Sequence, residues 1–330
     1  MMNGWKTLPK LFYATLIAYG LAVNIAQAQI AAPADNEAPL VEYGQTVEFQ
    51  IKVGVTVKAT RGAVQNIFST VPVPINFPEQ EVIVEEEDIT AEVEDWRIRD
   101  VKGGEAKQLA LSIPRLNSGA EARALLTYRV RTKTISPPEE TDHFAIPKKV
   151  DRDQRIYLGR SKNIDVNHRK IRGAVKEALA ELSKEASDWD KVEALYDYAF
   201  DKIEYVEGEN ISSVEALKLC KGDCQAVSVL FVAMCRTEKI PARMVWAHEH
   251  QYAEFYLEDG EERGQWFPVE SAGTKAFGEM PTARVIMQKG DNFQVPEKKR
   301  ERLNYATDFL IGLPTPGGGK PKVKYYRQLF

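Results

Sequence analysis

Cysteine and histidine are scarce in this chain of 330 residues. There are three cysteines, at positions 220, 224 and 235, and four histidines, at 143, 168, 248 and 250. So few cysteines, in odd number, exclude a fold built on disulfides, which uses more of them and in pairs. In an oxidising compartment at least one thiol would stay unpaired. Charge of one sign is also missing. Lys and Arg number 44 against 48 Asp and Glu, a net charge of −4, and the basic residues are dispersed apart from a short C-terminal group, so nothing argues for nucleic acid as a partner. Past the N-terminus no apolar run is long enough for a transmembrane helix. What is present is apolar material: hydrophobic residues make up 44%, enough for a sizeable core and too much for a disordered chain. The length suggests about two domains.

The N-terminus has the three parts of an export signal. Lys6 and Lys10 form a positive start, Leu11 to Val23 carries no charge, and Ala26-Gln27-Ala28 is a small-residue cleavage site, so cleavage is expected after Ala28. The alternative, an uncleaved anchor, needs a longer apolar run. The mature protein is expected to be exported, periplasmic or secreted, with no stable membrane insertion.

After a flexible lead over 29–39 the period changes to two. Val47, Phe49, Ile51, Val53, Val55 and Val57 alternate with mostly polar neighbours, the pattern of a long half-buried strand. Strand-like runs follow at Val82–Val84, Trp96–Val101, Leu109–Ile113 and Ala122–Val130, separated by turn signals at Pro72-Val73-Pro74, Gly103-Gly104 and Asn117-Ser118-Gly119. Closely spaced strands without helical signal predict an antiparallel β-sandwich over 40–150, ending in a proline-rich connection at 136–149.

The period then becomes helical. Ile171, Val175, Ala178, Leu179 and Leu182 mark one amphipathic helix. Ser187 and Asp190 open a second in the manner of a capping box, and a short third is capped at Ser212 or Ser213. From Cys224 to Cys235 the chain is apolar nearly all round, which predicts a buried central helix. Strands are expected at 242–247, 252–257 and 265–270, with an Asp259-Gly260 turn between the last two. Helices followed by strands make an α+β domain, placed at 151–313. Thr315 to Gly319 is expected to be a flexible break, and 314–330 a basic tail whose plainest form is a solvated terminal strand.

Three residues carry the candidate chemistry. In Gly222-Asp223-Cys224 the thiol sits where a glycine turn enters a helix, and the unpaired N–H groups and partial positive charge there favour a thiolate. A thiolate enzyme needs a base nearby. His248 and His250, two apart beside a predicted strand, are expected on one face. Glu270, on the next strand, is within reach to orient an imidazole. Two other arrangements use the same residues. Cys220, Cys224, His248 and His250 form a zinc set with an unusual His spacing, and a disulfide between Cys220 and Cys224, which flank a Gly turn, would silence the nucleophile until reduced. No metal or other cofactor is expected.

Taken together, these segments resemble the transglutaminase-like superfamily of papain-related thiol enzymes over roughly residues 155–275. Tyr157-Leu158 and Ile203-Glu204-Tyr205 resemble its approach segments, and Gly222-Asp223-Cys224 its nucleophile motif. Leu230 to Arg236 followed by Lys239 to Val245 resembles the run that leads into its first strand. His250-Gln251-Tyr252-Ala253-Glu254 is similar to its H-x-W-x-E motif and Trp266 to Glu270 to its W-x-x-V-D motif. The resemblance implies Cys224 as nucleophile, His250 as base and Glu270 as the orienting acid. Asp223, Gln225, Tyr252 and Trp266 are implied as substrate-pocket or oxyanion support. It also implies thiol-dependent hydrolysis or acyl transfer on a protein or peptide amide. The sequence departs from the pattern in carrying Glu270 for Asp, Tyr252 for Trp and Lys239 for Gly. The Glu270 departure leaves a second expectation open: a binding or scaffold module of the cell envelope that keeps the fold without the activity.

Overall fold

The computed structural model describes residues 40–330; the export signal and the lead expected ahead of them lie outside the described residues. Six strands come first: β1 (Glu42–Lys58), β2 (Val64–Val73), β3 (Gln80–Ile89), β4 (Asp95–Asp100), β5 (Lys107–Leu116) and β6 (Glu121–Ser136). A short turn of helix α1 (Arg152–Arg155) leads to α2 (Arg169–Ala178) and α3 (Asp188–Lys202), then β7 (Glu204–Tyr205), α4 (Ser213–Leu219), β8 (Lys221–Gly222) and α5 (Cys224–Thr237). Four strands follow: β9 (Ala242–Ala247), β10 (His250–Glu258), β11 (Gly264–Val269) and β12 (Ile286–Lys289). The described chain closes with β13 (Phe309–Pro314) and β14 (Lys322–Leu329).

The first six strands and the last two form two antiparallel sheets, ordered β14-β1-β6-β3 and β13-β2-β5-β4. The alternation in β1 works as expected where the sheets face each other. Ile51, Val53, Val55 and Val57 share one core with Val64, Ile67 and Val71 of β2, Leu109, Leu111 and Ile113 of β5 and Leu126 of β6. Val47, at the other end of β1, is 38% exposed, because β1 runs on past the covered part of the sheet. The 314–330 region expected as a basic tail carries strand β14, the plainest form expected of it, while β13 lies just before it. Val323 to Arg327 lie opposite Val57 to Val53 of β1, and β13 pairs with β2. The glycines between them form an ordered crossing between the sheets, with Gly318 N–H donating to Thr315 O and Gly319 N–H to Arg61 O. The turn expected at Pro72-Val73 is instead the end of β2, opposite Gln108 and Lys107.

The α+β half packs α5 across a sheet ordered β11-β10-β9-β12. Every residue of α5 from Cys224 to Arg236 is buried, so a helix without a polar face finds apolar cover on all sides. Phe231 of α5, Phe255 of β10, Phe267 of β11, and Trp189 and Tyr196 of α3 form its centre. The α3 capping box forms as expected: Ser187 Oγ accepts from Asp190 N–H at 3.1 Å and Asp190 Oδ2 from Ser187 N–H at 2.8 Å. The proline-rich connection is bound to this half, since Phe144 is buried against Trp189 and Phe267 and Ala145 pairs with Glu258.

Buried charges join the two halves. Lys289 of β12 pairs with Glu254 of β10 at 2.6 Å and with Glu79 at the entry to β3. Arg243 of β9 pairs with Glu254 at 2.7 Å and with Glu105 of the β4–β5 turn. Every carboxylate here meets a cation, which is the condition under which buried charge is tolerated. The architecture is an α+β core with an antiparallel β-sandwich ahead of it, and the chain returns to that sandwich with β13 and β14.

Candidate active site

The backbone around Cys224 is fixed from three sides. α4 stops at Cys220, whose left-handed conformation (φ 53°) turns the chain out of the helix. Residues 221–222 then pair in parallel with β7, with Glu204 N–H donating to Cys220 O and Val206 N–H to Gly222 O, both at 2.9 Å. Gly222 has no room for a side chain: a Cβ there would lie 2.3 Å from Ala226 Cβ in the first turn of α5. Asp223 is the N-cap, its Oδ1 accepting from Gln225 N–H at 2.9 Å, so Cys224 is the first residue of the helix. Ser228 one turn on donates to Cys224 O and shares a 2.7 Å hydrogen bond with Ser271. That bond ties the turn that carries Cys224 to the residue after Glu270.

His250 opens β10 directly after a two-residue turn, His248-Glu249, in which Glu249 takes φ 54°. His248 is therefore in the turn and not on a strand face beside His250, as the sequence spacing predicts. Its Nε2 lies 3.0 Å from Arg327 O of β14. His250 Nε2 is 2.6 Å from Glu270 Oε1, just past the end of β11. The same oxygen accepts from Ser271 N–H at 2.8 Å, and Oε2 pairs with Arg284 at 3.0 Å. With Nε2 engaged, Nδ1 is the ring nitrogen left for the thiol. The N–H of Gln251, the residue after His250, faces the Cys224 thiol, which sets Cys224 against the start of β10. Tyr252 stacks on His250, with ring centroids 6.3 Å apart and planes at 25°.

The electrostatics divide the site. Burial raises the Glu270 carboxyl, but the His250 hydrogen bond, the charges of His250 and Arg284 and the Ser271 N–H outweigh it and hold it below the usual carboxylate range. Cys224 is 8% exposed, and burial is the main force pushing its thiol upward. The charges of Asp223 and Glu270 add to that, while the N–H groups of Gln251 and Gln225 oppose them. Burial and two carboxylates win, because the cap that closes the helix is itself an anion.

The four supporting residues implied by the resemblance separate into two groups. Tyr252 borders His250 and Asp223 borders Cys224. The side chain of Gln225 is committed elsewhere, its amide bonding both Ile211 N–H (3.0 Å) and Ile211 O (2.9 Å). It pins the 206–212 segment over the helix start. Trp266 lies opposite Tyr256, six residues along β10 from His250, where it stacks under the Arg243 guanidinium at 4.0 Å and against Tyr157. The Gln225 side chain is thus held by the 206–212 segment while its backbone N–H faces the Cys224 thiol, and Trp266 lies among Arg243, Tyr157 and Tyr256. The three cysteines are free. Cys220 donates to Leu217 O at the end of α4. Among the described residues no group of three or more His, Cys, Asp or Glu is arranged to hold a metal ion.

A polar cleft of about 550 Å³ opens beside His250. The 247–251 turn forms one wall. Asn304, Tyr305 and Asp308, together with Arg327 of β14, form the other, and Asp308 pairs with Arg327. The last strand of the sandwich thus contributes to the space next to the candidate base. Arg284, Asp308 and Arg327 carry no periodic or motif signal, so sequence reasoning passes over them.

Residues 174–271 match the family model described as the transglutaminase-like superfamily, and this stretch, from α2 to just past Glu270, is a transglutaminase-like core. Among solved structures the chain is similar to a protein from Cytophaga hutchinsonii proposed to be a cysteine protease, with 17% identity, a TM-score of 0.56 and coverage of 87% of this chain and 93% of that one. At that identity the likeness is one of fold, and it extends over the sandwich as well as the core. A looser likeness is to the periplasmic domain of TgpA from Pseudomonas aeruginosa, at 13% identity and TM-score 0.30, covering 65% of this chain and 90% of that one. No curated protein matches the chain.

Proposed function

We propose that the protein is a thiol-dependent hydrolase or acyltransferase acting on protein or peptide amides, with Cys224 as nucleophile, His250 as base and Glu270 as the acid that orients it. One observation carries the reading. The His250–Glu270 bond at 2.6 Å leaves Nδ1 for the thiol, and the thiol lies against the residue that follows His250. His250 Nδ1 takes the Cys224 proton, and the thiolate attacks the amide carbonyl. The backbone N–H of Cys224, at the helix start, is positioned to stabilise the oxyanion. The tetrahedral intermediate collapses to an acyl-thioester, and His250 returns its proton to the departing amine. Water then releases the acid. A lysine amine in its place forms a crosslink. We favour water as acceptor, in an exported setting, on the strength of the signal-like sequence at 1–28. The cleft beside His250 takes the part of the substrate that flanks the reacting amide, since its lining includes His250 but not Cys224.

A second reading is a binding or scaffold module that keeps the fold without turnover. The raised thiol at Cys224 favours it. The two separate in an acyl-trapping experiment: the mature protein is mixed with a small activated ester, and its intact mass is followed. The enzyme reading predicts an acyl adduct on Cys224 that decays in water and is absent in Cys224→Ala and His250→Ala. No adduct in the native chain would leave the module reading.

A further inference from the structure

Glu270 has one more rotatable bond than the aspartate that the resemblance leads one to expect at its position. A longer side chain holds an imidazole less firmly unless its carboxylate is fixed elsewhere. Its two oxygens are fixed differently. Oε1 meets His250 and the Ser271 N–H, at 2.6 and 2.8 Å. Oε2 meets only Arg284, at 3.0 Å. The Glu270 side chain is 5% exposed and that of Arg284 24%, so the pair sits at the inner edge of solvent, where a charge-assisted bond keeps its strength.

Arg284 lies in the segment between β11 and β12, and that segment is gripped by the sandwich on both sides of it. Before it, Met280 exchanges two backbone hydrogen bonds with Ile135 of β6, at 2.8 and 3.0 Å. After it, the buried amide of Gln80 at the start of β3 takes Ile286 N–H at 2.6 Å and gives to Ile286 O at 2.8 Å. Next to Arg284, Val285 O accepts from His248 N–H at 2.8 Å, joining the segment to the turn that delivers His250. The guanidinium is therefore presented to Glu270 by fixed backbone.

We propose that Arg284 is a positioning residue for the candidate triad, holding the second oxygen of Glu270 so that the first stays on His250 Nε2. The sandwich then has a part in the site's chemistry, because it fixes the segment from which Arg284 reaches. The groups that act on Glu270 are His250 from β10, Arg284 from the 280–286 segment and the Ser271 N–H, and Glu270 in turn acts on Tyr252 from β10, Cys224 from α5 and Tyr196 from α3. Arg284 is the permanent cation among them.

The inference rests on His250 being the base, so two readouts are taken from the mature chain. Nitrogen NMR of labelled histidine reports the tautomer of neutral His250. The wild type is expected as the Nε2–H form. Arg284→Ala is expected to show a mixture with the Nδ1–H form and a Glu270 carboxyl titration moved to higher pH, with Arg284→Lys restoring both towards wild type. Iodoacetamide alkylation of Cys224 is expected to slow about tenfold in Arg284→Ala at pH 6.5, the scale of one lost charge-assisted bond. A wild-type tautomer and carboxyl titration in a folded Arg284→Ala protein would overturn the proposal. Alkylation indifferent to His250→Ala would instead overturn the reading of the base, and the NMR result would still decide the role of Arg284.

Discussion

Shortening Glu270 to aspartate, the residue usual in the family that this core resembles, is expected to damage the site rather than restore it. Removing one methylene withdraws the carboxylate by about 1.5 Å, one carbon–carbon bond. The His250 Nε2–Oε1 distance of 2.6 Å then opens to about 4 Å, beyond hydrogen-bond reach. The Arg284 contact at 3.0 Å opens as well. A hydrogen bond to a charged group contributes about 1.5–3 kcal/mol, so losing the one on the imidazole corresponds to about 10- to 100-fold in rate. The assay is the second-order rate of Cys224 alkylation at pH 6.5 in wild type, Glu270→Asp and Glu270→Gln, with thermal melts to confirm folding. Glu270→Asp is expected to be slowed like Glu270→Gln. A rate in Glu270→Asp equal to wild type would refute the reasoning, since it would mean that neither the length of Glu270 nor its two-sided grip matters.

Asp223→Asn keeps a capping side chain, because Asn caps a helix start about as well as Asp, but removes an anion that raises the Cys224 thiol. Its alkylation profile is expected to move to lower pH with little change in melting temperature. Glu254→Gln removes the shared partner of Arg243 and Lys289, and should cost about 3 kcal/mol or more in urea unfolding, the scale for breaking a buried ion pair. Burial raises the Glu254 carboxyl, but Lys289 and Arg243 outweigh it and hold it below the ordinary value. Its contribution to stability is therefore complete above the unfolded carboxylate range, near pH 4.3, and is lost as pH falls through the lower folded value. Glu254→Gln should flatten that acid arm. Arg327→Ala opens the cleft wall opposite the 247–251 turn without touching Cys224 or His250. A rise in KM for a peptide substrate with the alkylation rate unchanged is expected, measured by steady-state kinetics.

The parts legible in the sequence are those whose signal is local. The alternation of β1 marks its own buried face, the Ser187–Asp190 box marks the start of α3, and the unbroken apolar run of α5 marks a central helix. Cys224 sits in a short motif at the start of α5, and His250 and Glu270 in short motifs on neighbouring strands. The pairing of β14 was not legible, though a terminal strand was its plainest form, because a strand rich in Lys, Tyr and Arg shows its place only beside its partner, and β14 pairs with β1 from the start of the described residues. β2 was obscured by Pro72, a turn residue by habit that here ends a strand. Trp266 was misplaced because distance along a strand, and not membership of a motif, decides what a side chain touches. Its register opposite Tyr256 carries it away from His250. Arg284 lies in irregular chain, and its contact depends on two anchors in the sandwich that no local pattern encodes.

The most direct test of the central claim is the pH profile of Cys224 alkylation by iodoacetamide, wild type beside His250→Ala, under mild reductant. The account predicts that wild type reacts faster than His250→Ala at pH 6, because His250 takes up the thiol proton as the thiolate attacks. In His250→Ala it predicts a single titration above the ordinary thiol value of about 8.5, because burial, Asp223 and Glu270 then act on the thiol unopposed by an imidazolium. Identical profiles for the two proteins would contradict the account, and would mean that Cys224 and His250 do not work as a pair.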